Sequence, residues 1–230
     1  MKTSWTLIYL LLRKILLFVI VLFVADSKAH AEEISKIAEI RKAAEYGDAQ
    51  AQFNLGGAYL SGKGVPKNGE EAIKWFRKSA EQGYIKAQYQ LGLCYHWGDV
   101  VTKDDKESVR WFLKAAEQGN SPAQCKLGFY YYNGEGVPKN VAEAIKWFRK
   151  SAEQGDMISQ YKLGFCYQMG NGIAEDNVMA YMWFSIAAAS GYKRALRNLE
   201  FITKSMTQEE IARSQRLTRE WKLKHRRSAA

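Results

Sequence analysis

Few residues in this chain could do covalent or metal chemistry. Histidine occurs only at His30, His96 and His225 in 230 residues. A Ser-His-Asp triad or a histidine-based metal site therefore lacks parts. Ser159-Gln-Tyr-Lys162 and Ser190-Gly-Tyr-Lys193 each match S-x-x-K. The S-D-N and K-T-G elements that complete such a nucleophilic site occur nowhere in the chain. Gly62-x-Gly64 and Gly134-x-Gly136 have the look of phosphate loops, which need a strand before them. Here they follow helical stripes, so they are expected to be turns. No catalytic, cofactor-binding or metal-ligating residue is expected, and no cofactor.

The elements that hold these residues recur. Leu55-Gly56, Leu91-Gly92, Leu127-Gly128 and Leu163-Gly164 return every 36 residues. Tyr59, Tyr95, Tyr131 and Tyr167 keep the same step, and so do Trp75-Phe76, Trp111-Phe112, Trp147-Phe148 and Trp183-Phe184. Ala51, Leu55 and Tyr59 are spaced i, i+4, i+8, the stripe of one helix. Ala72, Trp75-Phe76 and Ala80 make a second stripe. Gly62 to Asn68, with Pro66, breaks the chain between them. Gly83 sits where a left-handed residue ends the second helix. A mid-helix glycine costs about 1 kcal/mol against alanine, so four of them at the Gly56 position imply a close approach, expected against the Trp ring. Stacked antiparallel helix pairs give an all-α fold, an α-solenoid.

The pattern A-x-x-x-L-G-x-x-Y, then G-x-G-V-x-x-N, then A-x-x-W-F-x-x-x-A-x-x-G resembles the Sel-1-like repeat, a relative of the tetratricopeptide repeat. Two departures stand out, Asp99-Val100 in the second unit and Ile173-Ala174 in the fourth. The expected organisation is a signal peptide at 1–31, a half repeat at 32–47, repeats at 48–83, 84–119, 120–155 and 156–191, and capping helices with a basic tail at 192–230. The resemblance implies a non-catalytic scaffold that binds a protein or peptide. It also raises an alternative, since some cysteine-rich secreted members are described as penicillin-binding or β-lactamase-like. That subgroup carries one disulfide in each repeat, whereas Cys94, Cys125 and Cys166 do not pair regularly. Cys94 and Cys166 are two repeats apart, roughly 20 Å if each helix pair adds about 10 Å, too far to bond. Cys125 with either is conceivable, and buried reduced thiols are expected.

In tetratricopeptide-like superhelices the first helix of each pair lines the concave face. Carried over, this nominates Phe53, Tyr89, Leu93, His96, Trp97, Phe129, Tyr132, Tyr161, Phe165 and Met169 as partner-binding. Aromatic side chains favour such anchoring. Phe53, Tyr89 and Tyr161 could equally pack between repeats. Leu93, Trp97, Phe129 and Phe165 exceed what one core stripe needs.

Charge points the same way once it is located. The formal net charge of +10 divides into about +3 in 1–31, zero in 32–192 and +7 in 193–230, so the repeats contribute none of it. Nucleic acid is not an expected partner. Lys2, Arg13 and Lys14 precede eleven apolar residues, Ile15 to Ala25, short of the about 20 that span a bilayer. Ala29-His30-Ala31 is then an A-x-A cleavage site, which predicts a periplasmic or secreted protein starting at Glu32. The alternative is an inner-membrane anchor formed by the uncleaved segment. At the other end Thr207 and Glu210 make a capping box. Ile211, Ser214, Leu217 and Trp221 form the stripe of a capping helix. Lys222 to Arg227 are expected to fray into solvent, with Lys222, Lys224, Arg226 and Arg227 able to contact an anionic membrane weakly.

Overall fold

The computed structural model describes residues 32–227, with side chains described as far as His225. The expected signal segment and its Ala29 and Ala31 junction lie outside the described residues. Regular structure among the described residues is all helical. Residues 32–45 form α1. Four helix pairs follow: α2 (Ala49–Ser61) with α3 (Gly69–Glu81), α4 (Ile85–Trp97) with α5 (Asp105–Glu117), α6 (Ser121–Asn133) with α7 (Val141–Glu153), and α8 (Met157–Met169) with α9 (Asn177–Ala189). The chain closes with α10 (Lys193–Thr203) and α11 (Gln208–Arg227). It divides into two compact units at Tyr84 and Ile85; the first holds α1 to α3, the second α4 to α11.

Helix starts are fixed by side-chain caps at the repeat step. Asn68, Asp104, Asn140 and Asp176 each accept the backbone N–H of the residue three positions on, a bond contributing about 1 kcal/mol. Helix stops are set by glycine: Gly134, at φ +80°, turns the chain out of α6 and donates its N–H to the Tyr130 carbonyl.

In the first unit Leu55, Ala44, Ala51 and Ala58 form the core with Ile37, Val65 and Trp75. In the second, Leu91, Leu127 and Leu163 are fully buried, each contributing about 1.5–3 kcal/mol. The regular spacing of mid-helix glycines has a different cause from the one the sequence suggested. The ring against them belongs to phenylalanine, one residue beyond the tryptophan. A Cβ on Gly92 would lie 2.6 Å from Phe112 Cδ1, and one on Gly164 2.6 Å from Phe184 Cδ1. The tryptophans are turned about 100° away along the helix, where Lys78, Lys114 and Lys150 lie 4.3, 4.2 and 4.2 Å from the ring centres of Trp75, Trp111 and Trp147. In α9 that lysine position is Ile186, and Trp221 of α11 takes over, edge-on to Trp183 at 6.0 Å.

A buried glutamine ties successive helices together. Gln124 donates to the Ala116 carbonyl at 3.0 Å and accepts from Gln154 Nε2 at 2.8 Å. Gln160 repeats the first contact on Ala152 at 3.1 Å, and in the first unit Gln52 repeats both, on Ala44 and from Gln82. Each glutamine adds a second donor to a last-turn carbonyl of the preceding helix that already accepts a backbone N–H from the glycine turn, Gly47 on Ala44, Gly119 on Ala116 and Gly155 on Ala152.

The cap forms as its pattern implies. Thr207 N donates to Glu210 Oε2 at 2.8 Å while Glu210 N donates to Thr207 Oγ1 at 3.2 Å. Ser214 is buried, and Ile211, Leu217 and Trp221 pack on the core beside Ile202 and Met206. The expected fraying after Trp221 is not found: α11 continues to Arg227. Its last turn is held by the His225 ring, stacked 3.9 Å from that of Trp221.

Candidate partner-binding face

The residues with chemical potential are mostly buried or engaged. Ser159 is fully buried, while Lys162 points outward, its ammonium 4.9 Å from the ring centre of Phe129 and 5.4 Å from that of Tyr132. The two ends of this S-x-x-K match thus sit in different surroundings. The Ser190 hydroxyl donates to the Ile186 carbonyl at 3.1 Å as the helix end demands. Cys94, Cys125 and Cys166 are free and buried. Burial pushes the Cys125 thiol up to about 12 and Cys166 to about 11, and raises Cys94 as well, so none is a thiolate at neutral pH. Among the described residues no group of three His, Cys, Asp or Glu side chains could hold a metal ion.

What the second unit does build is one continuous layer of first helices. His96 of α4 meets Tyr130 of α6 at 2.7 Å. Asn171, just past α8, donates to Tyr132 Oη of α6 at 3.0 Å. Asn198 of α10 donates to Gln168 Oε1 of α8 at 3.1 Å. These contacts set α4, α6, α8 and α10 side by side, with their outward residues on a shared face.

The nominated residues divide on this face into a floor and two projections. Tyr89 and Tyr161 lean on the phenylalanine of their own repeat, 5.6 Å from Phe112 and 5.6 Å from Phe184. Phe129 stands edge-on to Phe148 at 5.3 Å. Leu93, Tyr132 and Phe165 are half-buried against the core. Trp97 and Met169 project, 62% and 60% exposed. Phe53 belongs to the first unit, where it packs between Phe76 and Tyr84 at 5.6 and 5.5 Å.

Two features of this face are not visible in the repeat pattern. Lys126 reaches back over the Trp97 ring at 5.4 Å, and Lys162 over Phe129 and Tyr132. Each lysine thus bridges to the repeat before it. The second feature lies underneath. Tyr130 replaces the small residue found at the equivalent positions Ala58, Cys94 and Cys166, and Ser108 replaces Ala72, Ala144 and Ala180. The two hydroxyls meet at 2.8 Å, and Ser108 donates to the Gly92 carbonyl at 2.8 Å. Because Ser108 spends its proton there, Tyr130 must donate to Ser108 and accept from the Nδ1–H of His96. Burial, then the neighbouring Lys126, holds the His96 pKa below its usual value, and burial pushes Tyr130 up to about 12. His96 is thereby a fixed neutral donor at pH 7, and its ring props Trp97 at 4.6 Å.

The basic end is separate from this layer. Lys222 is half-buried and Lys224 exposed. Lys224 and His225 border a cleft of about 610 Å³ with Arg149, Trp183 and Trp221. Arg226 and Arg227 lie in α11, their side chains outside the described residues. No described helix is long and apolar enough to cross a membrane.

The Sel1 repeat family model matches residues 49–84, 85–120, 121–156 and 158–192. Among solved structures, c5321, described as a protective antigen present in uropathogenic Escherichia coli strains displaying an SLR fold, is 41% identical with a TM-score of 0.69. The match covers 72% of this chain and 36% of that one, so this chain spans about a third of c5321. A Sel1 repeat protein from Oxalobacter formigenes is 36% identical with a TM-score of 0.65, over 71% of this chain and 73% of that one. No curated protein matches the chain. Four tandem matches across the helix pairs, joined to that likeness in structure, show that the chain belongs to the Sel1 repeat family.

Proposed function

We propose that this chain is a non-catalytic adaptor of the bacterial cell envelope that binds a partner protein or peptide along its first-helix face. Sel1 repeats in general serve as protein-interaction scaffolds. The observation that carries the reading here is Trp97, a large aromatic 62% exposed. It is held in place by the His96 ring on one side and Lys126 on the other. An exposed but immobilised tryptophan loses little side-chain entropy on binding, which is what makes aromatic anchors effective. Export rests on the N-terminal segment: three basic residues, eleven apolar ones and Ala29-His-Ala31.

A photo-crosslinking residue placed at Trp97 or Met169 in the native envelope tests the binding face, with Arg110 on a second helix as the control. Adducts from the first two positions and none from Arg110 support the reading; the reverse pattern refutes it. Cell fractionation with N-terminal sequencing tests export, the expected mature terminus being Glu32. Recovery of the intact chain from the cytoplasm would contradict it.

A further inference from the structure

We infer that the partner of this face is an extended acidic segment with carboxylates about three residues apart. The inference rests on the binding-face reading above and specifies its ligand. Summed over residues 32–192 the charge is zero, yet the helices sort it. Helices α4, α6 and α8 carry Lys86, Lys126 and Lys162 and no carboxylate. Their partners α5 and α7 mix both signs. All the net charge of the paired first helices in the second unit is therefore positive.

Three carboxylates near the face, Asp156, Glu135 and Asp105, are already engaged. Asp156 caps α8 by accepting from Ser159 N at 2.7 Å. Glu135 is held by Asn133 at 2.9 Å, and Asp105 pairs with Lys103 at 3.3 Å. Lys126 and Lys162 make no ion pair with any of them; their heads lie over aromatic rings instead. A cation parked on a ring is kept extended, partly desolvated and available to a carboxylate, so a charge-assisted hydrogen bond there is stronger than one to a fully hydrated lysine.

Spacing sets the register. Lys126 and Lys162 are one repeat apart, about 10 Å if neighbouring first helices pack at ordinary separation. A polyproline-type segment advances about 9 Å per three-residue turn, returning every third side chain to the same side. Acidic residues at i and i+3 then reach both lysines. An α-helical ligand would need carboxylates at i and i+7, about 10.5 Å along its axis, to meet the same pair, so a spacing of three belongs to the extended form.

The test uses the exported chain and three labelled peptides of about 12 residues, built from Glu-Pro-Leu, Gln-Pro-Leu or Lys-Pro-Leu triplets. By fluorescence anisotropy the Glu peptide should bind at least about ten-fold tighter than the Gln peptide at low salt, and the advantage should shrink as salt is raised about six-fold. K126Q/K162Q should abolish the Glu preference with thermal stability retained, and K126E/K162E should transfer it to the Lys peptide. Three results would overturn the inference: equal affinity for Glu and Gln peptides, a preference untouched by K126Q/K162Q, or a preference lost on K222Q/K224Q instead. Single-stranded oligothymidine competing as well as the Glu peptide would also overturn it, marking a general polyanion site. If crosslinking at Trp97 still captures a partner while the Glu preference is absent, the binding face stands and this assignment of its ligand falls.

Discussion

His96 Nδ1 lies 2.7 Å from Tyr130 Oη, and through Ser108 the pair is tied to the Gly92 carbonyl. Protonation of His96 must therefore occur against burial and against Lys126, which is why its pKa in the fold falls below the unfolded value. A group lowered in this way binds fewer protons folded than unfolded, so its contribution is present above about pH 6.5 and lost as pH falls toward the folded pKa. The melting temperature should drop between about pH 7.5 and 5.5. H96Q, which can keep a donor near Tyr130 without titrating, should flatten that drop. An unchanged slope in H96Q would show that other groups set it.

The Gly92 and Phe112 approach makes a sharp packing prediction. G92A gains about 1 kcal/mol of helix propensity but forces a methyl to 2.6 Å from the Phe112 ring, overpacking that costs about 1–3 kcal/mol. A net loss of up to about 2 kcal/mol is expected in urea unfolding. G92A/F112L should recover part of it. Recovery from F112L and failure of a Trp111 substitution to rescue would separate the phenylalanine contact from the tryptophan one.

Gln124 is expected to matter more than a polar residue in a core usually does. Q124L removes one bond to the Ala116 carbonyl, which keeps the Gly119 N–H, and leaves the Gln154 amide only its 3.4 Å bond to the Lys150 carbonyl, a loss of about 0.5–1.5 kcal/mol. A chemical denaturation series should show it, with the slope against denaturant unchanged.

The cysteines should be silent toward a thiol reagent in the native state at pH 8. All three are buried, and two are pushed to about 11 or 12 by burial. Titration with a disulfide reagent should give full reaction only in denaturant. Rapid reaction of one thiol without unfolding would contradict the burial.

Much of this molecule was legible because it repeats. A 36-residue step through Leu55, Tyr59, Trp75 and Phe76 fixes helix pairs, since each copy must bury the same stripe on the next. The Thr207 and Glu210 box was readable for the same local reason. The partner of the mid-helix glycine was not: Trp75 and Phe76 are adjacent in sequence and both buried, and only the helix rotation decides which one meets the glycine. Nor was the His96, Tyr130 and Ser108 chain, because it arises where two positions depart from the repeat together, and a pattern averages such departures away. The sorting of Lys126 and Lys162 onto one face was hidden by summing charge along the chain, when the fold distributes it helix by helix. The tail seemed free to fray from its charge alone; Trp221 and His225 stacking holds its last turn.

The binding face is most directly tested by separating it from stability. Trp97 and Met169 are 62% and 60% exposed, so W97A/M169A should leave the melting temperature within about 2 °C of the parent. The same variant should lose at least about ten-fold in affinity for the partner captured from the envelope. Full affinity in W97A/M169A, at unchanged stability, would contradict it.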